Sequence, residues 1–497
     1  MGARRDNITG MERVQIAIQV LAAFRPRGLV SELSRAYAVS RQTIYAIAAV
    51  GKAVLERNMQ PGRHGPCREG RNVRVDRDRL VRSTVVLTEA GVSQRDVERC
   101  LEEMLDTHLS PAWVNAELSK RETLAAALNA SWRPSIRETF SGDEIYSNGN
   151  PNLLLVGNES LYIYALSRQP TCDGETWGCL LLEHPDCPQF ASDGGTGLAA
   201  GVKEAGLLVH QLDWDHLLRP LWGQAARLES QAWAGLEETE KRASLFEQAH
   251  TAKRLEQHFN IWQKLESETT EKIERYDRFF QMAQQVDEQF ALIDLESGQL
   301  RDPVRGAAHL HALGEQLAQW EGRIYEKLSN NLAHWGQALF AYQPLLQQAI
   351  RPLIAQWGAP AIQALSRVWQ IEANHKRHPL PLNHRIAQQA MWEQSLDQAG
   401  ALLGMEQLGE AWQALSEVLG RSWRGSMLAE CVNSLLRPVL LERKSTDQQC
   451  LELFRFLHNV RPFARGKRRH HSPAELAGLN VPDDPLTLLG LAPKVSS

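Results

Sequence analysis

The chain has 497 residues, which at roughly 100–200 residues per domain suggests about three or four domains. Its 55 Lys and Arg against 59 Asp and Glu give a formal charge of −4, and 43% of the residues are hydrophobic. This excludes a uniformly cationic nucleic-acid coat but leaves room for local basic patches and ordinary cores. No apolar stretch reaches the about 18 residues of a membrane span, and the opening MGARRDNITGMERVQ lacks the apolar run of a secretory signal. The seven cysteines are scattered, and Cys172, Cys179 and Cys187 lack the paired spacing of a zinc knuckle. They read as ordinary thiols of a reducing, cytoplasmic compartment.

Residues 1–60 read as helices. Val14, Ile18, Leu21 and Ala22 recur at helical spacing, a second segment runs from Ser31 to Tyr37, and Ser40 caps a third helix. A short helix, a brief turn and a capped helix opening on Arg41, Gln42 and Thr43 are the layout of a helix-turn-helix. The first turn of its second helix reaches base edges in the major groove. A plain helical hairpin is the bland alternative. Residues 61–82 form a basic, Gly- and Pro-rich linker. Residues 83–134 are expected to be a second helical unit, a DNA-binding module or a spacer. Ser93–Asp96 resembles a capping box, and Ser110-Pro111 opens the next helix.

From residue 135 the pattern turns to strands. RETFSGDEIYS, NLLLVG and SLYIYALS suggest a three-stranded meander. The run TWGCLLLE, a short strand ending in ASDGG, the helix GLAAGVKEAG and the strand LLVHQL then complete an α/β pattern through 214. Residues 215–425 read as helical throughout, with Trp262, Trp320, Trp335, Trp369 and Trp412 as core packing and a small turn at Leu295–Gln299. Residues 426–482 return to a polar and basic helix and loop, and 483–497 form a tail.

Asp143 closes the first candidate strand and Asp193 a later one. Aspartates at neighbouring strand ends can share divalent cations, as phosphoryl transfer on nucleic acid requires. Glu430 is the best third carboxylate, with Asn433 and Arg437 following on the same helical face. Glu144 and Glu442 are rival ligands, and Asp213 and Asp215 are candidate auxiliary residues. Downstream, Arg461, Arg465, Lys467, Arg468 and Arg469 cluster beside Pro462 and Gly466, ahead of a capped helix start at Ser472–Glu475. His458 reads as a residue that positions DNA or packs internally.

GDEIY, ASDGGTGLAAGVKEAG, AECVNSLLRP and LFRFLHNVRPFARGKRRHHSPAELAGL, in that order, resemble the catalytic domain of DDE-type insertion-sequence transposases. The resemblance covers roughly 135–215 and 428–480. It implies a ribonuclease-H-like α/β core behind helix-turn-helix units, interrupted by an all-α insertion over 215–425. It assigns Asp143, Asp193 and Glu430 as catalytic ligands of two Mg²⁺ (or Mn²⁺) ions. Arg41, Gln42, Thr43, Asn433, Arg437, Arg461, Arg465, Lys467 and Arg468 become the DNA contacts. The implied partners are transposon-end and target DNA and a second copy of the chain, in a nucleoid-associated cytoplasmic setting. Asp143 and Asp193 stand 50 residues apart, and Glu430 follows 237 residues later, so the insertion lies between the last strand and the glutamate helix. Two other readings stay open. One is a non-catalytic DNA-binding protein derived from a transposase. The other is a dinucleotide-binding enzyme, because Gly195, Gly197 and Ala200 fit G-x-G-x-x-A with Asp213 downstream.

Overall fold

A computed structural model of the chain describes residues 8–22, 26, 28–58, 76–105, 107–207, 209–377, 382–442 and 446–493. It divides into two compact units, Met1–Val75 and Asp76–Ser497.

The first unit contains helices α1 (Gly10–Leu21), α2 (Leu29–Ala36) and α3 (Arg41–Asn58). Thr9 and Glu12 form a reciprocal capping box on α1, and Ser40 Oγ accepts the amide of Thr43 to start α3. The turn from α2 to α3 passes through Ala38 at φ 50°. The core is Ile16, Ala17 and Val20 against Leu33, Val39, Ile44 and Ile47. The apolar stripe singled out in α1 lies elsewhere: Val14 and Ile18 are more than half exposed. Of the basic linker expected over 61–82, residues 61–75 lie outside the described residues, and 77–82 are not linker but helix.

The second unit begins with α4 (Arg77–Glu89), α5 (Gln94–Leu105) and α6 (Pro111–Ser131). Five strands follow: β1 (Phe140–Ser147), β2 (Asn150–Gly157), β3 (Ile163–Arg168), β4 (Phe190–Ser192) and β5 (His210–Leu212). Helix α7 (Gly174–Leu182) precedes β4, and α8 (Thr196–Glu204) links β4 to β5. The sheet order is β3-β2-β1-β4-β5, with β1, β2 and β3 antiparallel and β4 and β5 parallel to β1. The continuous apolar run TWGCLLLE is helix α7, with Trp177 and Leu181 buried against the sheet.

Among the described residues the chain continues with α9 (Trp214–Glu247), α10 (Ala252–Gln289), α11 (Pro303–Ala318), α12 (Arg323–Trp335), α13 (Gln343–Trp357), α14 (Ala359–Arg377), α15 (Leu382–Gly420, kinked at Gly404), α16 (Met427–Glu442) and α17 (Gln448–Val460). A single turn, α18 (Pro473–Leu476), carries the Ser472–Glu475 capping box. Helices α9 to α15 share one apolar core, into which Trp320, Trp335, Trp369 and Trp412 pack; Trp262 instead pairs with Phe259. The turn at Leu295–Gln299 is present. Gly298 takes φ 71°, and an added Cβ there would meet the Gln363 carbonyl at 2.7 Å.

Two expected boundaries change. Residues 83–134 are not a separate module, because Val85, Val97, Leu101, Val114 and Leu118 share a core with Leu453, Phe456 and Leu457 of α17. Burying these faces needs α17, so the segment belongs to the second unit. The tail is not loose either: Leu489 and Leu491 enter the same core, and Asp484 accepts from Arg82 at 2.5 Å. Among the described residues no helix is long and apolar enough to cross a membrane.

Candidate active site

The pairing register brings the aspartates together. Strand β1 meets β4 at Phe140–Phe190 and Ser141–Ala191. Carried two residues further, the same offset sets Asp143 beside Asp193. Strand β4 meets β5 at Ser192–Leu212, so Asp213 continues the row. Asp143 was expected at a strand end but lies inside β1, which stays paired with β2 as far as Ser147 while β4 stops at Ser192. On the β4 side it therefore borders the open ground past the last paired residue.

Asp193 is fixed by a tight turn. Gly194 takes φ 81°, a region that L side chains avoid, and the Gly195 amide donates to Asp193 Oδ1 at 2.9 Å. A Cβ on Gly195 would stand 3.3 Å from Asp193 Oδ1 and 3.8 Å from Glu144 Oε1, so Glu144 shares this space. The side chain of Glu442, the other rival ligand, lies outside the described residues.

Glu430 arrives on α16, whose Ala429, Val432 and Leu436 pack on Leu154, Val156 and Ile163 of the sheet. Asn433, one turn later, was expected to meet DNA. It is instead 2% exposed, and its Nδ2 donates to Asp143 Oδ2 at 2.7 Å. Lying beside Val432 on the sheet-facing side, it orients a carboxylate rather than a phosphate. Arg437 is exposed.

Burial pushes Asp143 above the usual carboxylate range despite the bonds from Asn433 and the Glu144 amide, and the charges of Asp193 and Glu430 add to the rise. Glu144 is pushed to about 7 by burial first, then by Asp193 and Asp143. Glu144 Oε2 and Asn433 Oδ1 are both buried without a hydrogen-bond partner. Crowded carboxylates and two orphaned oxygen acceptors form a hard, electron-rich donor set that a divalent cation would satisfy. Among the described residues, no group of three or more His, Cys, Asp or Glu side chains stands arranged to hold a metal ion. Glu430 is drawn aside: its Oε2 accepts from Arg219 at 3.3 Å, and its Oε1 lies 3.9 Å from His216 Nε2.

Asp213 is fully buried and caps α9. It accepts from the Asp215 amide at 2.7 Å, the Ser426 amide at 2.9 Å and Ser426 Oγ at 2.7 Å, with His216 Nδ1 at 3.2 Å. Three of these contacts fall on Oδ2 and one on Oδ1, so the carboxylate positions its neighbours; Asp215 pairs with Arg219. His216 and Arg219 were missed in the sequence, although Asp213, His216 and Arg219 recur every three residues from a helix cap.

Of the expected DNA contacts, Arg41 and Gln42 are exposed on the first turn of α3, with Thr43 half-buried behind them. Arg465 and Lys467 are exposed in the 461–471 loop, and Arg461 reaches Glu89 at 3.4 Å. Arg468 departs from expectation: it donates to the carbonyls of Asn158 and Glu159, each at 2.7 Å, and so ties the basic loop to the β2–β3 turn. His458 packs internally, 3.0 Å from the Leu161 carbonyl. In the G-x-G-x-x-A pattern, Gly197 is used in packing: a Cβ there would lie 1.9 Å from the Cys172 carbonyl. No protein-family model matches the chain, and no curated protein matches it.

Proposed function

We propose that the chain is a DDE-type DNA transposase whose catalytic unit is a ribonuclease-H-like core interrupted by the helices α9 to α15. The observation that carries this reading is the register row. Asp193 at the adjacent parallel strand and Glu430 from a helix packed on the same sheet both lie within electrostatic reach of Asp143. The meander followed by two helix-linked parallel strands supports the fold assignment.

Asp143, Asp193 and Glu430 would hold Mg²⁺ or Mn²⁺, with Glu144 as a neighbouring donor. A cation held there would supply Lewis-acid stabilisation to oxygens at phosphorus. Asn433 holds the Asp143 carboxylate in one orientation. The turn at Gly194 and Gly195 does the same for Asp193. The sheet face fixes α16 and with it the height of Glu430. These residues position a phosphodiester for hydrolysis at a transposon end and then for attack by the released 3′-hydroxyl on target DNA. Arg41, Gln42 and Thr43 would read the end sequence, while Arg461, Arg465 and Lys467 contact phosphates. Two ends join in one event, so a dimer or larger assembly is expected.

The test is incubation of the full chain and Mn²⁺ with a duplex carrying the DNA that flanks its coding region. Cleavage by wild type, lost in Asp193→Asn with DNA binding retained, is the expected result. Equal nicking by both proteins overturns the site. Binding without any cleavage by wild type indicates a DNA-binding protein derived from a transposase.

A further inference from the structure

We propose that the first unit pairs with a second copy of the chain through the apolar face shared by α1 and α3. That the pair serves to join two DNA ends rests on the transposase reading; the interface itself does not.

Met11, Val14 and Ile18 follow one stripe of α1, and Val50 and Val54 one stripe of α3; each is more than half exposed. Between the stripes runs a groove of about 420 Å³, with Leu55 on its wall. Small residues make its floor. A Cβ on Gly51 would stand 2.5 Å from that of Ala17, so the two helices touch there and leave a channel open to side chains from outside. Among the described residues lining the groove, only Arg13 and Thr43 have polar side chains, and Arg13 donates to the Ile8 carbonyl at 3.2 Å. A small ligand would find almost nothing polar to fix it. A second copy fits better. The six apolar side chains expose on the order of 600 Å², the upper end for one patch on a monomer, and two such faces together would bury about 1,200 Å², enough for a stable interface. A two-fold axis sets one face against itself, and an apolar face with so little charge meets its copy without repulsion. The unit also gains from a partner. Met1–Val75 is short for an independent core, and among its described residues that core holds nine buried apolar side chains and no buried aromatic ring. Arg41 stands nine residues before Val50, about two and a half turns, and so on the opposite side of α3. The pairing therefore leaves Arg41 of both copies open to DNA.

The test is sedimentation of the full chain over a concentration series of about 0.1 to 50 μM. Wild type is expected at twice the 55.9 kDa of one chain in the micromolar range. Ile18→Glu and Val50→Glu, exposed positions whose folding is checked by circular dichroism, are expected to weaken the dimer about a hundredfold or more. Val50→Ala, which only trims the surface, should weaken it about tenfold and keeps the test standing if a glutamate unfolds the unit. Tyr45→Glu, also half exposed but on the Arg41 side of α3, should leave the dimer unchanged. A wild type that stays monomeric throughout, or a dimer indifferent to Ile18→Glu, Val50→Glu and Val50→Ala, overturns the interface. Slow alkylation of Val50→Cys in such a monomer would show the face covered by the chain's own residues, and overturns it as well. Cleavage assays with Mn²⁺ separate the two proposals. A dimer broken by Val50→Glu in a protein that cuts no DNA keeps the interface and removes the transposase reading. DNA cutting by a wild type whose dimer ignores these substitutions removes the interface and keeps the transposase.

Discussion

Asp213 and Ser426, separated in sequence by the whole helical insertion, meet through two hydrogen bonds to one carboxylate oxygen, from the Ser426 amide at 2.9 Å and its hydroxyl at 2.7 Å. The Trp214 amide adds a bond to the Arg424 carbonyl at 3.1 Å. The insertion therefore leaves and rejoins the core at one point, and the same clasp sets the start of α16, which carries Glu430 four residues on. Asp213→Asn replaces an acceptor by a donor facing N–H groups in a buried place. It is expected to cost about 2–3 kcal/mol in urea unfolding and to remove DNA cleavage together with stability. Ser426→Ala removes one of the two bonds and should cost about 1 kcal/mol, with partial loss of cleavage.

Asn433→Ala tests the positioning of Asp143. The Asp143 carboxylate would lose its fixed donor, and the orphaned Asn433 Oδ1 would be removed at the same time. Outer partners of metal ligands typically contribute about 10–100-fold in metal affinity. A Mn²⁺ titration of Asn433→Ala should show a weakening in that range, and Asn433→Asp, with a like charge facing Asp143, a weakening at least as large. Unchanged Mn²⁺ affinity in both would remove Asn433 from the site.

The meander was legible because its signals are local. Asn148 and Gly149 both take positive φ in the β1–β2 turn, the conformation that an Asn-Gly pair favours. The order of the acidic motifs was legible too, but their geometry was not. Register depends on pairings between strands 50 residues apart, and only the register shows that Asp213 extends the aspartate row while being consumed as a clasp. In α1, spacing identified a helix without identifying its buried face, since Ile16, Ala17 and Val20 repeat as well as Val14, Ile18 and Leu21 do. The helices of 83–134 looked self-contained because their partner, α17, lies more than 300 residues downstream.

His458 makes stability depend on acid. Burial pushes its pKa down to about 4 despite the bond to the Leu161 carbonyl. Below its ordinary value of 6.5 the unfolded chain takes up a proton that the folded one refuses. Its contribution is therefore complete above about pH 6.5 and is lost progressively as pH falls towards 4, reaching about 2 kcal/mol at pH 5. Urea unfolding at pH 7.5 and pH 5 should show wild type losing more stability than His458→Gln. An equal loss in the two proteins would place the acid sensitivity elsewhere, for instance at His184 or His210, which burial also pushes to about 4.

The two basic regions should differ in kind when DNA binding is measured. Arg41 and Gln42 are exposed on the first turn of a capped helix, so alanine at either leaves unfolding unchanged. Each substitution should weaken binding to the cognate end by about 1–3 kcal/mol and leave binding to unrelated duplex almost untouched. Arg465 and Lys467 sit in a loop that Arg468 ties to the β2–β3 turn. Alanine at either should weaken cognate and unrelated DNA alike and lower the salt dependence of binding by about one ion each. Arg468→Ala should behave as neither. Removing its two carbonyl bonds frees the whole loop, so it should lower thermal stability and weaken DNA binding together. A salt titration of all five variants on both duplexes sorts these outcomes, and uniform loss in Arg41→Ala would remove α3 from sequence reading.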